Sequence, residues 1–161
     1  IWYQKNHPFV TFMDKRKCKV RTSNGTKKHN QRTFNINPDV VSEWKDAPFP
    51  NDYFDMIIFD PPHLIINRNH GKLSTLKLCY GYLYKDNYKR VLREGISKLF
   101  DCLKPDGFFI FKWSETSVGI EDILKLFPYK PLFGSRTRNR NYTQNFWIVF
   151  IKHRMEKELD V

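Results

Sequence analysis

A chain of 161 residues, 40% of them hydrophobic, is long enough for one domain with a real core and too short for two. Its 28 lysines and arginines against 17 aspartates and glutamates leave a formal net charge of +11, which favours a polyanionic partner such as nucleic acid over a neutral one. Three cysteines without close spacing argue against a disulfide framework and a metal site, and the longest apolar run, residues 146–151, is far short of a bilayer span. With no charged-then-apolar leader at its start, the expectation is one soluble, cytoplasmic domain over residues 1–161.

Residues 9–14 read as a short buried strand ending in the carboxylate of Asp14, followed by a basic run of Lys15, Arg16, Lys17, Lys19 and Arg21. Two strands flanking Ser23-Asn24-Gly25-Thr26 predict a hairpin, because Asn-Gly supplies the positive φ that tight hairpin turns require; Lys27, Lys28 and His29 make its tip basic. Val40-Val41 is a further apolar stretch, and residues 48–52 form a loop into a central strand at residues 56–60. The polar stretch 67–85, with Gly71, Gly81, Tyr80, Tyr82 and Tyr84, predicts a lid or active-site loop. Asp86 then caps a helix whose stripe of Tyr88, Leu92, Ile96, Leu99 and Leu103 faces the sheet, and Lys104-Pro105-Asp106-Gly107 stops it. Residues 108–111 are the next strand, and Ser117 caps a short helix carrying Ile120, Ile123, Leu124 and Phe127. Leu132-Phe133 and residues 146–151 pair around a basic loop holding Arg136, Arg138, Asn139, Arg140 and Asn141. Alternating strands and helices predict an α/β fold, a Rossmann-like doubly wound sheet, mostly parallel, with helices on both faces and an antiparallel C-terminal strand.

The densest chemistry sits at Phe54-Asp55-Met56-Ile57-Ile58-Phe59-Asp60-Pro61-Pro62-His63, where an apolar β-branched run delivers a carboxylate and two prolines to a strand end. Each proline fixes φ and lacks an N–H, so the chain leaves the sheet in a stiff turn that presents Asp60 and the Pro61 carbonyl as acceptors facing a crevice. The plainer alternative is a strand-ending turn with no chemistry.

That block, with Pro48-Phe49-Pro50-Asn51-Asp52-Tyr53 before it and Leu103-Lys104-Pro105-Asp106-Gly107-Phe108-Phe109-Ile110-Phe111-Lys112-Trp113 after it, resembles class I S-adenosylmethionine-dependent methyltransferases over roughly residues 9–152. Asp60-Pro61-Pro62-His63 is similar to the Asp-Pro-Pro-aromatic signature of enzymes that methylate exocyclic amines, chiefly adenine N6 and cytosine N4. The resemblance implies S-adenosyl-L-methionine as cofactor, S-adenosyl-L-homocysteine as product and no metal. It also implies Asp60 and the Pro61 carbonyl as acceptors for the amine, Pro62 as the stiffener, and His63 as the ring that stacks on an extruded base. Asp14, beside Lys15, is similar to the acid that accepts both ribose hydroxyls; Glu43 and Trp44 are similar to the groups flanking the adenine, with Asp60 and Pro61 closing the cofactor side. The readings that compete are surface carboxylates and a core tryptophan. Tyr80, Tyr82, Lys112, Trp113, Arg136 and Arg138 are candidate acceptor contacts, the tyrosines equally loop packing and Trp113 equally a core lid.

One departure is clear: the glycines stand alone, with no Gly-x-Gly anywhere, although the family approaches the methionine end of its cofactor with a glycine-rich loop. The chain starts at Ile1, so either a preceding N-terminal segment carries that loop or residues 3–7 provide a reduced version. Three functions follow in order of preference: an amino-methyltransferase on nucleic acid through basic loops, a methyltransferase on a small molecule or protein, and a non-catalytic methyltransferase-like module that binds nucleic acid. Oligomeric state and the need for a partner subunit stay open.

Overall fold

The computed structural model describes residues 4, 6–23, 31–69, 74–138 and 143–153. The hairpin tip with Lys27, Lys28 and His29, part of the 3–7 stretch, Gly71, and the loop residues Asn139, Arg140 and Asn141 lie outside them. Ten strands and three α-helices run in the order β1 (Met13–Asp14), β2 (Cys18–Ser23), β3 (Gln31–Ile36), β4 (Val40–Val41), β5 (Phe54–Phe59), β6 (Ile65–Ile66), α1 (Thr75–Tyr80), β7 (Leu83–Tyr84), α2 (Tyr88–Cys102), β8 (Leu103–Ser114), α3 (Ile120–Leu124), β9 (Phe133–Arg138) and β10 (Gln144–Ile151) among the described residues.

The main sheet has the order β5-β8-β10-β9. Its β5/β8 pair is parallel, with Phe59 opposite Phe111, while β10 runs antiparallel to both β8 and β9. Side chains of a strand alternate between faces, so Phe109, Phe111 and Trp113 share one face with Ile148 and Phe150, all of them buried. Helix α2 covers that face with its predicted apolar stripe: Leu92, Ile96 and Leu99 are buried, and Phe100 stacks on Phe109 at 4.5 Å between ring centroids. The segment after α3 covers it too, through Phe127, stacked on Phe150 at 4.4 Å. On the opposite face Met56, Phe108, Phe133 and Trp147 are exposed.

The doubly wound parallel sheet with helices on both faces therefore does not form. Among the described residues the architecture is mixed α/β: one four-stranded mixed sheet plus three two-stranded pairs, with α2 and the α3 region on a single face. The physical reason lies in the crossovers. A doubly wound sheet needs a helix between successive parallel strands, but β1 reaches its parallel partner β4 through the antiparallel hairpin β2/β3, with Cys18 opposite Ile36 and Ser23 opposite Gln31. Nor do residues 9–14 form a buried strand: Phe9 is 92% exposed and only Met13–Asp14 pairs.

Local expectations shift in the same way. The 67–85 segment is not a bare loop; it holds α1, and β7 adds in parallel to β6 right after the Asp60 turn. Helix α2 starts after Asn87 rather than Asp86, with no side-chain cap, and ends at Cys102. The Lys104–Gly107 tetrapeptide falls within β8, where the pairing register with β5 shifts and Asp106 takes φ 64°, a left-handed conformation that a short polar side chain tolerates. Ser117 does not cap α3, whose first N–H, that of Ile120, donates instead to Glu115 Oε1 at 2.8 Å.

Candidate active site

Strand β5 ends by burying Phe59, edge-on to Trp44 and Phe109, and the chain then exits through Asp60-Pro61-Pro62-His63. Anchors hold this turn from several sides. Beyond it, Ile65 N donates to Ser117 Oγ at 3.1 Å and Leu64 O accepts from Leu83 N at 2.8 Å. Gly81, at φ 77°, lies against the Pro62 ring: an added Cβ would stand 3.0 Å from Pro62 Cγ. The turn is thus pre-set by covalent stiffness and by tertiary contacts, which is what fixed hydrogen-bond acceptors require.

Within the turn, Pro61 is buried and Asp60 is open, its side chain 49% exposed. Asp60 Oδ2 accepts a hydrogen bond from Lys112 Nζ at 2.7 Å, and Oδ1 accepts none among the described residues. His63 is half-buried, edge-on to Trp113 at 6.5 Å. Burial lowers the His63 pKa; Asp60 pulls it up and Lys112 pushes it down, and the net effect is a fall below 6.5. The ring at the fourth position is thereby biased toward its neutral form.

Lys112 and Trp113 occupy adjacent positions with opposite fates, because β8 alternates. Trp113 is fully buried, stacked with Phe111 and donating its indole N–H to Val118 O at 2.9 Å, so it is the floor under His63 rather than an acceptor contact. Lys112 lies on the open face, opposite Trp147 of β10, with its ammonium 5.9 Å from that ring.

The cofactor-side candidates gather at the ends of β1 and β4. Lys15 Nζ pairs with Glu43 Oε1 at 3.4 Å, and both side chains are well exposed. Asp14 is held by a fork: Arg16 Nε meets Oδ1 and Arg16 Nη2 meets Oδ2, both at 3.0 Å, and the Arg16 backbone N–H adds a third bond to Oδ1 at 2.9 Å. Hydrogen bonding to Asp14 raises the Arg16 pKa further above its ordinary value. The same guanidinium donates to the carbonyls of Leu78 and Cys79, at 3.1 and 3.3 Å. An added Cβ on Gly81 would stand 3.9 Å from Arg16 Nη1, so the Asp14 corner and the Asp60 turn touch through Gly81. Trp44 departs from its adenine-side assignment. Its indole N–H donates to Val91 O at 3.3 Å, its ring lies edge-on to Phe59, and it fills the space above Gly95, where an added Cβ would meet Cδ1 at 2.0 Å.

The remaining acceptor candidates do not converge on Asp60. Tyr80 packs edge-on to Phe34 of the hairpin, and Tyr82 to Tyr84, whose ring lies 4.5 Å beneath the Arg68 guanidinium. Arg136 and Arg138 belong to the exposed strand β9 rather than to a loop, and their register partners are Phe146 and Gln144. Sequence reasoning missed Arg16, Ser117 and Trp147. The Asp14-x-Arg16 spacing was a usable signal for the first; Trp147 sits in an unbroken apolar run, where no alternation marks its exposed face.

Comparison with protein-family models and with curated proteins finds no match for this chain. Among the described residues no group of three or more His, Cys, Asp or Glu is arranged to hold a metal, and no helix is long and apolar enough to cross a membrane.

Proposed function

We propose that this chain is an S-adenosylmethionine-dependent methyltransferase acting on the exocyclic amine of a nucleic-acid base, adenine N6 or cytosine N4. The observation that carries the reading is the Asp60 turn: a stiff, multiply anchored strand exit with one carboxylate oxygen unengaged by any described residue and a ring, biased toward its neutral form, two residues past the buried proline. An aryl amine is a weak nucleophile because its lone pair is delocalised into the ring. Accepting both of its N–H hydrogens, one at Asp60 Oδ1 and one at the Pro61 carbonyl, favours a pyramidal nitrogen with its lone pair aimed outward. The two prolines add no competing donor. His63, biased toward its neutral form, offers its face to the extruded base.

The cofactor, when bound, supplies an electrophilic methyl on a sulfonium. Asp14 and Glu43 fit its ribose and adenine sides: they stand at or just past the ends of neighbouring parallel strands, and a carboxylate has lone pairs to accept a diol even while Arg16 engages both oxygens. Trp44 does not fit and is left out of the assignment. The net charge of +11 supports a polyanionic acceptor.

A second reading, a methyltransferase-like nucleic-acid-binding module without catalysis, is favoured by the engagement of both Asp14 oxygens by Arg16. Calorimetric titration of S-adenosylmethionine separates the two. Micromolar binding lost in Asp14→Ala supports the enzyme; no heat at millimolar cofactor overturns it in favour of the module.

A further inference from the structure

The geometry points to Lys112 as a positioning residue for Asp60, itself steadied by Trp147, an inference that rests on the methyltransferase reading. Three groups lie in one row across the open face of the sheet: the Asp60 carboxylate at the end of β5, the Lys112 ammonium on β8, and the Trp147 ring directly opposite Lys112 on β10. Lys112 Nζ bonds Oδ2 of Asp60 at 2.7 Å and stands 5.9 Å from the indole centroid, within reach of a cation–π attraction. A carboxylate on the residue after a strand rotates about two bonds; tying one oxygen to a lysine that leaves the neighbouring strand removes that freedom.

The consequence is a matching of numbers. An exocyclic amine has two N–H groups to be accepted. With Oδ2 engaged by Lys112, Asp60 offers Oδ1 as its unengaged oxygen, and the Pro61 carbonyl is the second acceptor, which favours one acceptor for each N–H. Were both carboxylate oxygens open, the amine could engage Asp60 bidentately, in the carboxylate plane, and turn its lone pair away from the methyl donor. By engaging Oδ2 and holding the carboxylate plane, Lys112 disfavours that mode. Its ammonium gives one of its three N–H donors to Asp60.

Trp147 has a matching peculiarity. It lies in a strand with neighbours on both sides, yet it is 38% exposed, and its register partner on β9 is the small Ser135. The ring therefore has open space on one side and the Lys112 ammonium on the other, where it limits the rotamers of the lysine stem.

Two measurements test this. In protein labelled with 15N-lysine and 13C-aspartate, a scalar coupling across the hydrogen bond between Lys112 Nζ and Asp60 Cγ is expected in the wild type and absent in Asp60→Asn; no coupling in the wild type overturns the inference whatever the activity. In methyl-transfer kinetics, Lys112→Met is expected to lower kcat by about tenfold to a hundredfold, the scale of a misplaced reacting group, with the KM for nucleic acid changed less than twofold. Lys112→Arg restores most of the rate and Trp147→Leu lies between. A Lys112→Met enzyme with unchanged kcat, or one whose loss is all in KM, contradicts a positioning role. Wild-type protein that shows the coupling but transfers no methyl group overturns the underlying function while leaving the ion pair in place, so the two failures are distinguishable.

Discussion

Asp14 and Asp60 both close an apolar run at the end of a parallel strand, and they end in opposite chemical states. The residues that follow explain the difference. After Asp14 comes Arg16, whose guanidinium folds back to take both oxygens and then spans to the carbonyls of Leu78 and Cys79. After Asp60 come two prolines, which carry no donor, and among the described residues only Lys112, fifty-two residues along the chain, reaches one oxygen. One carboxylate is built into the scaffold, and the other keeps an acceptor for use. The same local pattern, apolar strand then acid, thus yields a carboxylate with both oxygens engaged or one with an oxygen unengaged by any described residue, according to its donors.

The sharpest way to break this contrast is to remove the open carboxylate. Asp60→Ala is expected to lower methyl transfer by about a thousandfold, the scale of deleting one preorganised hydrogen-bonding group, while the urea midpoint moves little because the side chain is half exposed; single-turnover assays with labelled cofactor read the first and denaturation the second. Next in size is Gly95→Ala. Its Cβ would meet Trp44 at 2.0 Å, so overpacking of about 2–3 kcal/mol outweighs the roughly 1 kcal/mol that alanine returns in a helix, and chemical denaturation should show a net loss of stability. That result would mark Trp44 as core rather than cofactor wall.

Arg16→Met comes third. It leaves Asp14 without its fork and the Cys79 corner without its donor, and a loss of about 1–2 kcal/mol is expected by urea denaturation. If Asp14 is also a ribose acceptor, cofactor affinity falls in the same variant. The smallest effect belongs to His63. Its folded pKa lies below the unfolded value of 6.5, so the unfolded chain takes up its proton first as pH falls. Stability is therefore unaffected by this group well above pH 6.5 and declines as pH drops from there through the lower folded value; His63→Phe should flatten that part of a thermal-melt series.

Much of the main sheet was readable because its signals are local. The apolar run of β5, the 3.6-residue stripe of α2 and the unbroken apolar run of β10 each carry their own signal, whereas β9, exposed along its whole length, reads as a loop beyond Phe133. What failed depended on distant partners. The hairpin β2/β3 was marked by Ser23-Asn24-Gly25-Thr26, but no local pattern tells that it takes the place of a helical crossover between strands only two residues long, as β1 and β4 are. Ser117 reads as a cap because serine caps helices, but its hydroxyl is taken by the backbone of Ile65. Trp44 and Trp113 carry the same letters whether they wall a pocket or fill a core, and here the hydrogen bonds to Val91 and Val118 and the packing against the core decide for the core.

The most direct test of the central claim is to locate the transferred methyl group. Wild-type protein incubated with single-stranded DNA and RNA and methyl-labelled S-adenosylmethionine, followed by nucleoside digestion and mass spectrometry, should place the label on adenine N6 or cytosine N4. Label on a ring carbon or ring nitrogen, or no label in either polymer, would contradict a site built to accept the two N–H hydrogens of an exocyclic amine.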